Sequence, residues 1–202
     1  YSAVHKRLHE SSRQFVTRRG YYDFFLIGTE VDIFYSVEKE RDFTTNIETG
    51  EWKESGLASA FNAAKGGHKG KIIAMSDMAA YGPSAGAPAM FVATALHDET
   101  DQFIGVLALQ LPTDTILGIM AYTSGMGETG ETYLVGQDLM MRSDSRFSFE
   151  STVLLQHVDS PTVQLALSGE EGRGVIDDYR GVEVLSAYMP LDIGKFRWAV
   201  MA

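Results

Sequence analysis

The sequence predicts an α+β protein made of one helix and two antiparallel-sheet domains. Apolar residues recur every three to four positions up to residue 20, and every two positions or in short runs from residue 21 onward. The same order of elements then occurs twice, namely a hairpin, a helical excursion and three further strands. We therefore expect the end of a longer helix at residues 1–20, a first domain at 21–124 and a smaller second domain at 125–202.

The predicted first helix has Val4, Leu8, Phe15 and Val16 on its apolar face and ends at Gly20, because glycine commonly follows the last helical residue. In the first domain, strands are predicted at residues 22–27, 33–37, 71–78, 89–96 and 103–111, with helices at 57–64 and from about 113 to 122. In the second domain, we expect a hairpin of residues 132–135 and 139–143, helical stretches near 149–157 and 161–168, and strands at 174–179, 182–190 and 196–201.

Composition narrows the classes of function. The chain has 202 residues, 45% of them hydrophobic, and 17 basic against 27 acidic side chains give a net charge of −10. This charge argues against nucleic acid as a partner, since phosphate neutralisation supplies most non-specific affinity. The absence of cysteine excludes disulfides, thiolate zinc sites and cysteine nucleophiles. No apolar run reaches the roughly 18 residues that cross a bilayer.

The sequence contains partial matches to catalytic and cofactor-binding motifs, but the residues and predicted elements around them do not fit those motifs. Residues 125–130, GMGETG, match the dinucleotide-binding pattern, but a predicted helix precedes them and Glu128 would repel phosphate, so we interpret them as a linker. His5 and His9 are four residues apart, yet Lys6 stands where a zincin has glutamate, which favours a surface or interface role over a metal site. No serine-hydrolase elbow is present. We expect no enzymatic activity, no metal and no cofactor.

One group of residues in the first domain has the composition of a small-molecule pocket. Such pockets combine aromatic walls with a few polar groups that orient the ligand. Asp77 lies near the end of an apolar predicted strand, where its carboxylate would bind either a ligand ammonium or an internal donor such as Lys39. From the residues alone, ligand-binding and structural roles are equally supported. The group lies at strand ends and in the long excursion at residues 39–55 and consists of Tyr35, Trp52, Asp77, Tyr81 and Phe91.

Seven segments spread over the whole chain resemble one family. They are residues 21–27 (YYDFFLI), 33–43 (IFYSVEKERDF), 75–84 (MSDMAAYGPS), 87–91 (APAMF), 105–112 (GVLALQLP), 127–136 (GETGETYLVG) and 139–147 (LMMRSDSRF). Together these segments resemble the double Cache sensor domains of bacterial transmembrane receptors.

The resemblance implies two PAS-like antiparallel sheets stacked along a long N-terminal helix. It further implies an extracytoplasmic location between two transmembrane helices that are absent from this chain, a homodimeric full-length receptor, and a histidine kinase, chemotaxis or nucleotide cyclase output. The membrane-distal first domain would bind a small molecule of unknown identity. The Arg-x-Trp-Tyr string of the amino-acid-binding subset is missing, so an amino acid ligand is not implied.

The resemblance also assigns roles to residues. Tyr35, Trp52, Tyr81 and Phe91 would be walls of the distal pocket and Asp77 its anchor for a cationic or hydroxylated group. Asp42, also counted among the ligand-binding residues, would instead orient the roof loop. Tyr133, Arg142 and Asp144 would line a smaller pocket in the membrane-proximal domain, although an empty structural domain is favoured there.

Two hypotheses remain open from the sequence. The first is a ligand-binding sensor domain that changes the conformation of a receptor. The alternative is an ectodomain without a ligand, serving as a dimerising spacer or as a platform for a periplasmic binding protein. A secreted hydrolase is disfavoured by the failed motif searches.

Overall fold

The computed structural model describes residues 2–68 and 73–202, and the side chains of residues 2–4 lie outside the description. The chain divides into two compact units, unit 1 up to Thr113 and unit 2 from Asp114 to Ala202. The division falls ahead of the linker predicted at residues 125–130. Within the described ranges, no helix is both long and apolar enough to span a membrane.

Unit 1 begins with helix α1, Ser2–Arg19, and Gly20 follows it with a φ of 73° that suits glycine. Helix α2 spans Gly56–Ala64, and its N-cap Ser55 accepts a hydrogen bond from the Ala58 amide at 3.2 Å. The strands are β1 (Asp23–Ile27), β2 (Ile33–Ser36), β3 (Ala74–Met75), β4 (Ala79–Tyr81), β5 (Ala87–His97) and β6 (Phe103–Leu111).

These strands form one antiparallel sheet in the order β2-β1-β6-β5-β3, with β4 also paired to β5. The main core of unit 1 lies on one face, where Phe25, Phe91 and Val106 join Leu57 and Phe61 of α2. On the other face, Val16 of α1 packs against a cluster that contains Phe24, Leu26, Tyr35 and Val37. The alternation of side chains along β1 thus supplies both faces.

A β-bulge in β2 decides which face Tyr35 occupies. The pairing with β1 runs Leu26 to Tyr35 and then Ile27 to Ile33, so the register shifts between the two pairs and Phe34 is the extra residue. Ile33 therefore lies in the main core while Tyr35, two residues later, lies on the α1 face. Without the bulge, residues two apart would face the same side.

Unit 2 starts with helix α3, Thr113–Met120, whose first residue belongs to unit 1. The elements after α3 are β7 (Tyr133–Val135), α4 (Pro161–Ser168), β8 (Gly172–Asp177), β9 (Glu183–Ile193) and β10 (Phe196–Met201). Helix α4 is capped by Ser160 and followed by Gly169 at a φ of 102°. The strand order is β7-β10-β9-β8, all antiparallel, and the core contains Val135, Met141 and Val163.

Three predicted elements are corrected by the structure. The helix predicted at 149–157 is wrong, because Asp144 Oδ1 accepts the Thr152 amide and the Leu154 amide donates to Met141, which holds this segment in turns. The hairpin predicted at 132–143 is reduced to β7 and an isolated bridge from Val135 to Met141. The strand predicted at 71–78 is confined to β3, with residues 71–72 outside the described residues.

Gly105 is a position where the sheet of unit 1 requires glycine. Its φ is 148°, and a Cβ there would lie 2.4 Å from the Ile27 carbonyl oxygen on β1. We expect Gly105→Ala to lower the free energy of unfolding by about 1–3 kcal/mol, because both backbone strain and a backbone clash result. Gly174→Ala, in a strand with no atom within 4 Å of the new Cβ, is the matched control. Chemical denaturation measures the free energy of unfolding of both variants. Equal values for Gly105→Ala and Gly174→Ala would contradict the requirement for glycine at position 105.

Candidate ligand-binding site

The segment that we call the roof, residues 37–55 between β2 and α2, is fixed to the first hairpin of unit 1. The Ile33 amide donates to Thr45, and the Thr44 amide donates back to Ile33. Asn46 donates from Nδ2 to the Glu30 carbonyl at 3.1 Å and to Asp32 Oδ1 at 3.0 Å. The roof is therefore an ordered part of the unit, built from turns.

Asp42 attaches the roof to the core through Tyr81. Its side chain is fully buried, and its Oδ2 accepts a hydrogen bond from the Tyr81 hydroxyl. The Tyr81 ring packs on Phe91 with centroids 4.8 Å apart. Burial raises the pKa of Asp42, because a low-dielectric environment disfavours the charged carboxylate. The same burial, together with the nearby Asp42 charge, raises the pKa of Tyr81.

Asp23 attaches the start of the roof to β1. Its Oδ1 accepts three backbone N–H groups, from Phe24 at 2.6 Å, Val37 at 2.8 Å and Glu38 at 3.2 Å. Burial, helped by the neighbouring Asp42 charge, raises the pKa of Asp23 to about 7, against the lowering effect of these hydrogen bonds. A carboxyl group with this pKa changes its charge near neutral pH.

Three buried oxygens around these two carboxyl groups have no hydrogen-bond partner among the described residues, namely Asp23 Oδ2, Asp42 Oδ1 and Gln110 Oε1. Gln110 pairs with Asp23 across β1 and β6, so their side chains share a face. We call Asp23, Asp42, Tyr81 and Gln110 the buried acidic junction. Because it has more acceptors than donors, it favours protons or hydrogen-bond-donating cations.

The junction continues toward the surface through Glu40. Gln110 Nε2 donates to Ser84 Oγ at 3.4 Å, Ser84 donates to Glu40 Oε2 at 2.6 Å, and the Tyr22 hydroxyl donates to Glu40 Oε1 at 2.9 Å. In the part of the chain that the structure describes, no lysine or arginine forms an ion pair with Asp23, Glu40 or Asp42.

Trp52 lies where the roof meets the turn after β4. A Cβ on Gly82 would lie 2.4 Å from the indole Cζ3, so glycine there allows the close contact. The ring is half-buried against the main core, with the Arg41 guanidinium 5.4 Å from its centroid. The indole Nε1 is buried without a hydrogen-bond partner among the described residues, which leaves one donor for a ligand acceptor.

Asp77 lies between β3 and β4 and is half-buried. Its Oδ1 accepts the Met78 amide at 2.6 Å. The preceding Ser76 is held to β5, because its amide donates to the Phe91 carbonyl at 2.9 Å and its hydroxyl oxygen accepts the Phe91 amide at 3.0 Å. The Asp77 carboxylate is thus carried by backbone anchored to the central sheet.

Of the residues that the sequence predicts for the site, the structure brings together Asp42, Trp52, Tyr81 and Phe91 and places Tyr35 elsewhere. Asp42, Tyr81 and Phe91 form direct contacts, and Trp52 joins them through Gly82. Tyr81 and Phe91 are 1% exposed and belong to the core. Tyr35 lies on the opposite face of the sheet because of the bulge in β2, and its hydroxyl is 3.2 Å from His9 Nδ1.

The sequence motifs do not single out Asp23 and Gln110, which the structure places in the junction. Each is a polar residue inside an apolar strand, in DFFLI and FIGVLALQL respectively. That contrast is a signal in its own right, since a buried polar side chain needs a partner. The sequence does not reveal that β1 pairs with β6, and this pairing places the two side chains next to each other.

In unit 2, two of the three predicted pocket residues, Arg142 and Tyr133, make contacts within the protein that indicate a structural role. Arg142 is 2% exposed, donates to the Met140 carbonyl at 3.0 Å and forms an ion pair with Asp138 at 2.9 Å. The buried Tyr133 packs on Tyr179 with centroids 5.5 Å apart. Asp144 lines a cavity.

Across the described ranges, no group of three or more His, Asp or Glu side chains is arranged to hold a metal ion.

No protein-family model matches the sequence, and no curated protein is similar to it in sequence. Solved structures are similar in fold. The ligand-binding domain of the Pseudomonas fluorescens chemoreceptor CtaA, in complex with L-serine, has a TM-score of 0.61 and 15% identity, covering 96% of this chain and 76% of that one. The corresponding domain of the Pseudomonas aeruginosa PAO1 chemoreceptor PctC, in complex with GABA, has a TM-score of 0.59 and 14% identity, covering 96% and 78%.

An extracellular domain assigned to a histidine kinase, mmHK1S-Z2, has a TM-score of 0.63 and 14% identity, covering 98% of this chain and 81% of that one. The chain has the α+β, PAS-like fold of extracytoplasmic sensor domains. Identities this low establish the fold alone. Within this sensor fold, the roof, the buried acidic junction and Asp77 all belong to unit 1.

The raised pKa of Asp23 predicts a pH-dependent stability. The folded state keeps the proton up to about pH 7, whereas the unfolded state loses it near 3.8, so the contribution of Asp23 is largest at low pH and is lost as the pH rises through 7. Asp42, whose pKa is also raised, acts in the same direction. We expect the free energy of unfolding to fall by about 2–3 kcal/mol from Asp23 between about pH 5 and pH 8.

Asp23→Asn removes this titration and keeps an oxygen for the Val37 and Glu38 amides. Denaturation at several pH values measures the difference in the free energy of unfolding between the wild type and this variant. The lowered pKa of His9 acts in the opposite direction, but its contribution is the same in both proteins and cancels from the difference. We expect the difference to favour the variant progressively above about pH 5. Parallel pH profiles for the two proteins would contradict the buried, proton-binding Asp23.

Tyr81→Phe tests the contact between roof and core. It removes the hydroxyl that donates to Asp42 Oδ2 and leaves a buried carboxyl group without that donor. We expect a loss of about 1–3 kcal/mol in the free energy of unfolding. Tyr122→Phe, on a side chain that is 71% exposed, is the control and should change stability by less than about 0.5 kcal/mol. If both variants are equally stable, the contact does not hold the roof.

Proposed function

We propose that this chain is the extracytoplasmic ligand-sensing domain of a transmembrane receptor, and that unit 1 binds a small molecule with an amino group beside the roof. The observation that carries the proposal is the set of buried polar atoms that the roof itself contributes. The indole N–H of Trp52 and the Oδ1 of Asp42 lack partners among the described residues. Buried polar groups in this state are complementary to a polar ligand, since leaving them unpaired is costly.

Charge favours a ligand with a cationic group. Asp23, Glu40, Asp42 and Asp77 are all carboxylic acids near the roof or the β3–β4 segment, and the chain has a net charge of −10. We assign Asp77 as the anchor of the ligand ammonium, because it is half-buried and its backbone is held to β5. Trp52 supplies an aromatic wall and one donor. The similar chemoreceptor domains were solved with L-serine and GABA, which both carry an amino group.

Signalling requires that ligand binding favour one packing of the domain over another. In unit 1 the roof begins directly after β2, and Tyr35 of β2 contacts His9 of α1. We propose that a shift of the roof on ligand binding moves β2 and thereby α1. The receptor would be a homodimer with flanking transmembrane helices and a histidine kinase or chemotaxis output, and the chain itself would have no catalytic role.

A thermal-shift screen of amino acids, amines, carboxylates, purines and sugars tests the proposal. A ligand at about 100 times its dissociation constant stabilises the fold by about 2.7 kcal/mol, which raises the melting temperature of a chain of this size by about 5–10 °C. Isothermal titration of the strongest amine-bearing hit then compares Asp77→Asn and Trp52→Phe with the wild type. We expect at least a tenfold loss of affinity for Asp77→Asn, since a charge-assisted hydrogen bond is lost.

Asp177→Asn is the matched control, because Asp177 is an exposed aspartate at the end of β8 in unit 2. An unchanged affinity for Asp77→Asn would show that the anchor is wrongly assigned. If no compound in the screen shifts the melting temperature, the alternative becomes the better account, namely a ligand-free spacer or a platform for a periplasmic binding protein.

A further inference from the structure

Unit 2 contains a cavity of about 370 Å³ that the proposed function does not use. Its wall is the end of α3 and the residues that follow it, from Leu117 to Thr123. Its floor consists of residues 131–132 and 144–146. This volume lies at the lower end of the range for small-molecule sites.

The wall is apolar and only partly covered by the protein. Helix α3 has the sequence TDTILGIM, and none of its residues is buried. Leu117 and Met120 are half-buried and line the cavity, while Ile119 and Tyr122 are 68% and 71% exposed. An apolar group seated in the cavity would remove the surface of Leu117 and Met120 from water, which is favourable.

A buried network of hydrogen bonds holds the floor of the cavity. Glu131 is 8% exposed and accepts hydrogen bonds from the Tyr179 hydroxyl at 2.7 Å, the Ser145 hydroxyl at 2.9 Å and the Arg146 amide at 3.3 Å. The Ser145 amide in turn donates to Thr152 Oγ1 at 2.8 Å. A buried network of this kind positions the residues that it carries, here Asp144 and Arg146 on either side of Ser145.

Asp144 and Arg146 each have hydrogen-bonding capacity left over. Asp144 Oδ1 accepts the Ser151 hydroxyl and the Thr152 amide, both at 2.8 Å, while its Oδ2 has no partner in the described part of the chain. Arg146 Nη1 donates to the carbonyl oxygens of Gly127 and Gly130. Its Nε and Nη2 donate to none of the described residues, and the guanidinium forms no ion pair with them.

We propose that unit 2 binds a small amphipathic zwitterion in this cavity, independently of the ligand of unit 1. The ammonium group of the ligand binds Asp144 Oδ2, its carboxylate binds the free N–H groups of Arg146, and its apolar side chain packs on Leu117 and Met120. The two carboxylates at the floor, Glu131 and Asp144, exclude a ligand that is only anionic, since like charges repel. An α-amino acid with a branched aliphatic side chain has this chemistry.

Methionine-methyl NMR locates the binding event. The chain has nine methionines, of which Met120 lines this cavity and Met78 is a buried neighbour of Asp77 in unit 1. The probes are L-leucine, isopentylamine, which lacks the carboxylate, and 4-methylpentanoate, which lacks the ammonium group. We expect L-leucine to shift the Met120 methyl resonance in a saturable way, and each analogue to bind at least tenfold more weakly.

Variants separate the three contacts. Asp144→Asn keeps an oxygen for Ser151 and Thr152 and should weaken L-leucine binding at least tenfold, as should Arg146→Ala. Leu117→Trp fills the cavity without a change of charge and should abolish the Met120 shift. The controls are Asp177→Asn and Arg173→Ala on β8, an exposed aspartate and an exposed arginine that should leave the affinity unchanged.

Several results would overturn the proposal. The proposal is wrong if none of the probes shifts the Met120 methyl resonance. It is also wrong if the Asp144→Asn and Arg146→Ala variants bind L-leucine as tightly as the control variants do. A shift confined to Met78 and removed by Asp77→Asn would assign the ligand to unit 1, which overturns the second site and leaves the proposed function standing. A Met120 shift that persists in Asp77→Asn supports the second site even if unit 1 binds nothing.

Discussion

The arrangement of unit 1 depends on two buried carboxyl groups that have no cationic partner among the described residues. Asp23 binds the first amides of the roof, and Asp42 binds Tyr81 behind it. Each is fully buried, and burial raises the pKa of each. Such groups are stable inside a protein only when they are protonated or when donors surround the charge. The position of the roof is therefore linked to the protonation of the junction.

This link gives the roof two properties that suit the sensing function proposed above. It is ordered, because a hydrogen bond donated by Asn46 and hydrogen bonds accepted by Asp42 and Asp23 fix it at three places. It is also not maximally stable at neutral pH, because the pKa of Asp23 of about 7 means that part of the population carries a buried charge. A segment of intermediate stability responds to small free energies of binding, whereas a rigid core does not.

The sequence predicts much of this fold and less of its site. The period of the apolar residues correctly predicts α1, α2, β5 and β6, because burial of one face requires it. It fails at residues 149–157, where Asp144 and Met141 compete for the backbone that a helix would use. Tyr35 is misplaced for a different reason, since a one-residue bulge reverses the face of every later side chain. Asp23 and Gln110 come together only through strand pairing, which a single sequence does not specify.

The titration of the aspartate carboxyl carbons by NMR tests the buried acidic junction most directly. The 13Cγ resonance of each aspartate reports its own protonation, so Asp23 and Asp42 are measured separately from the exposed Asp177. The account predicts that Asp23 titrates with a midpoint near pH 7 and that Asp42 titrates above its ordinary range, while Asp177→Asn identifies the exposed reference signal. A midpoint near 4 for both Asp23 and Asp42, the ordinary value for a solvated aspartate, would contradict the account.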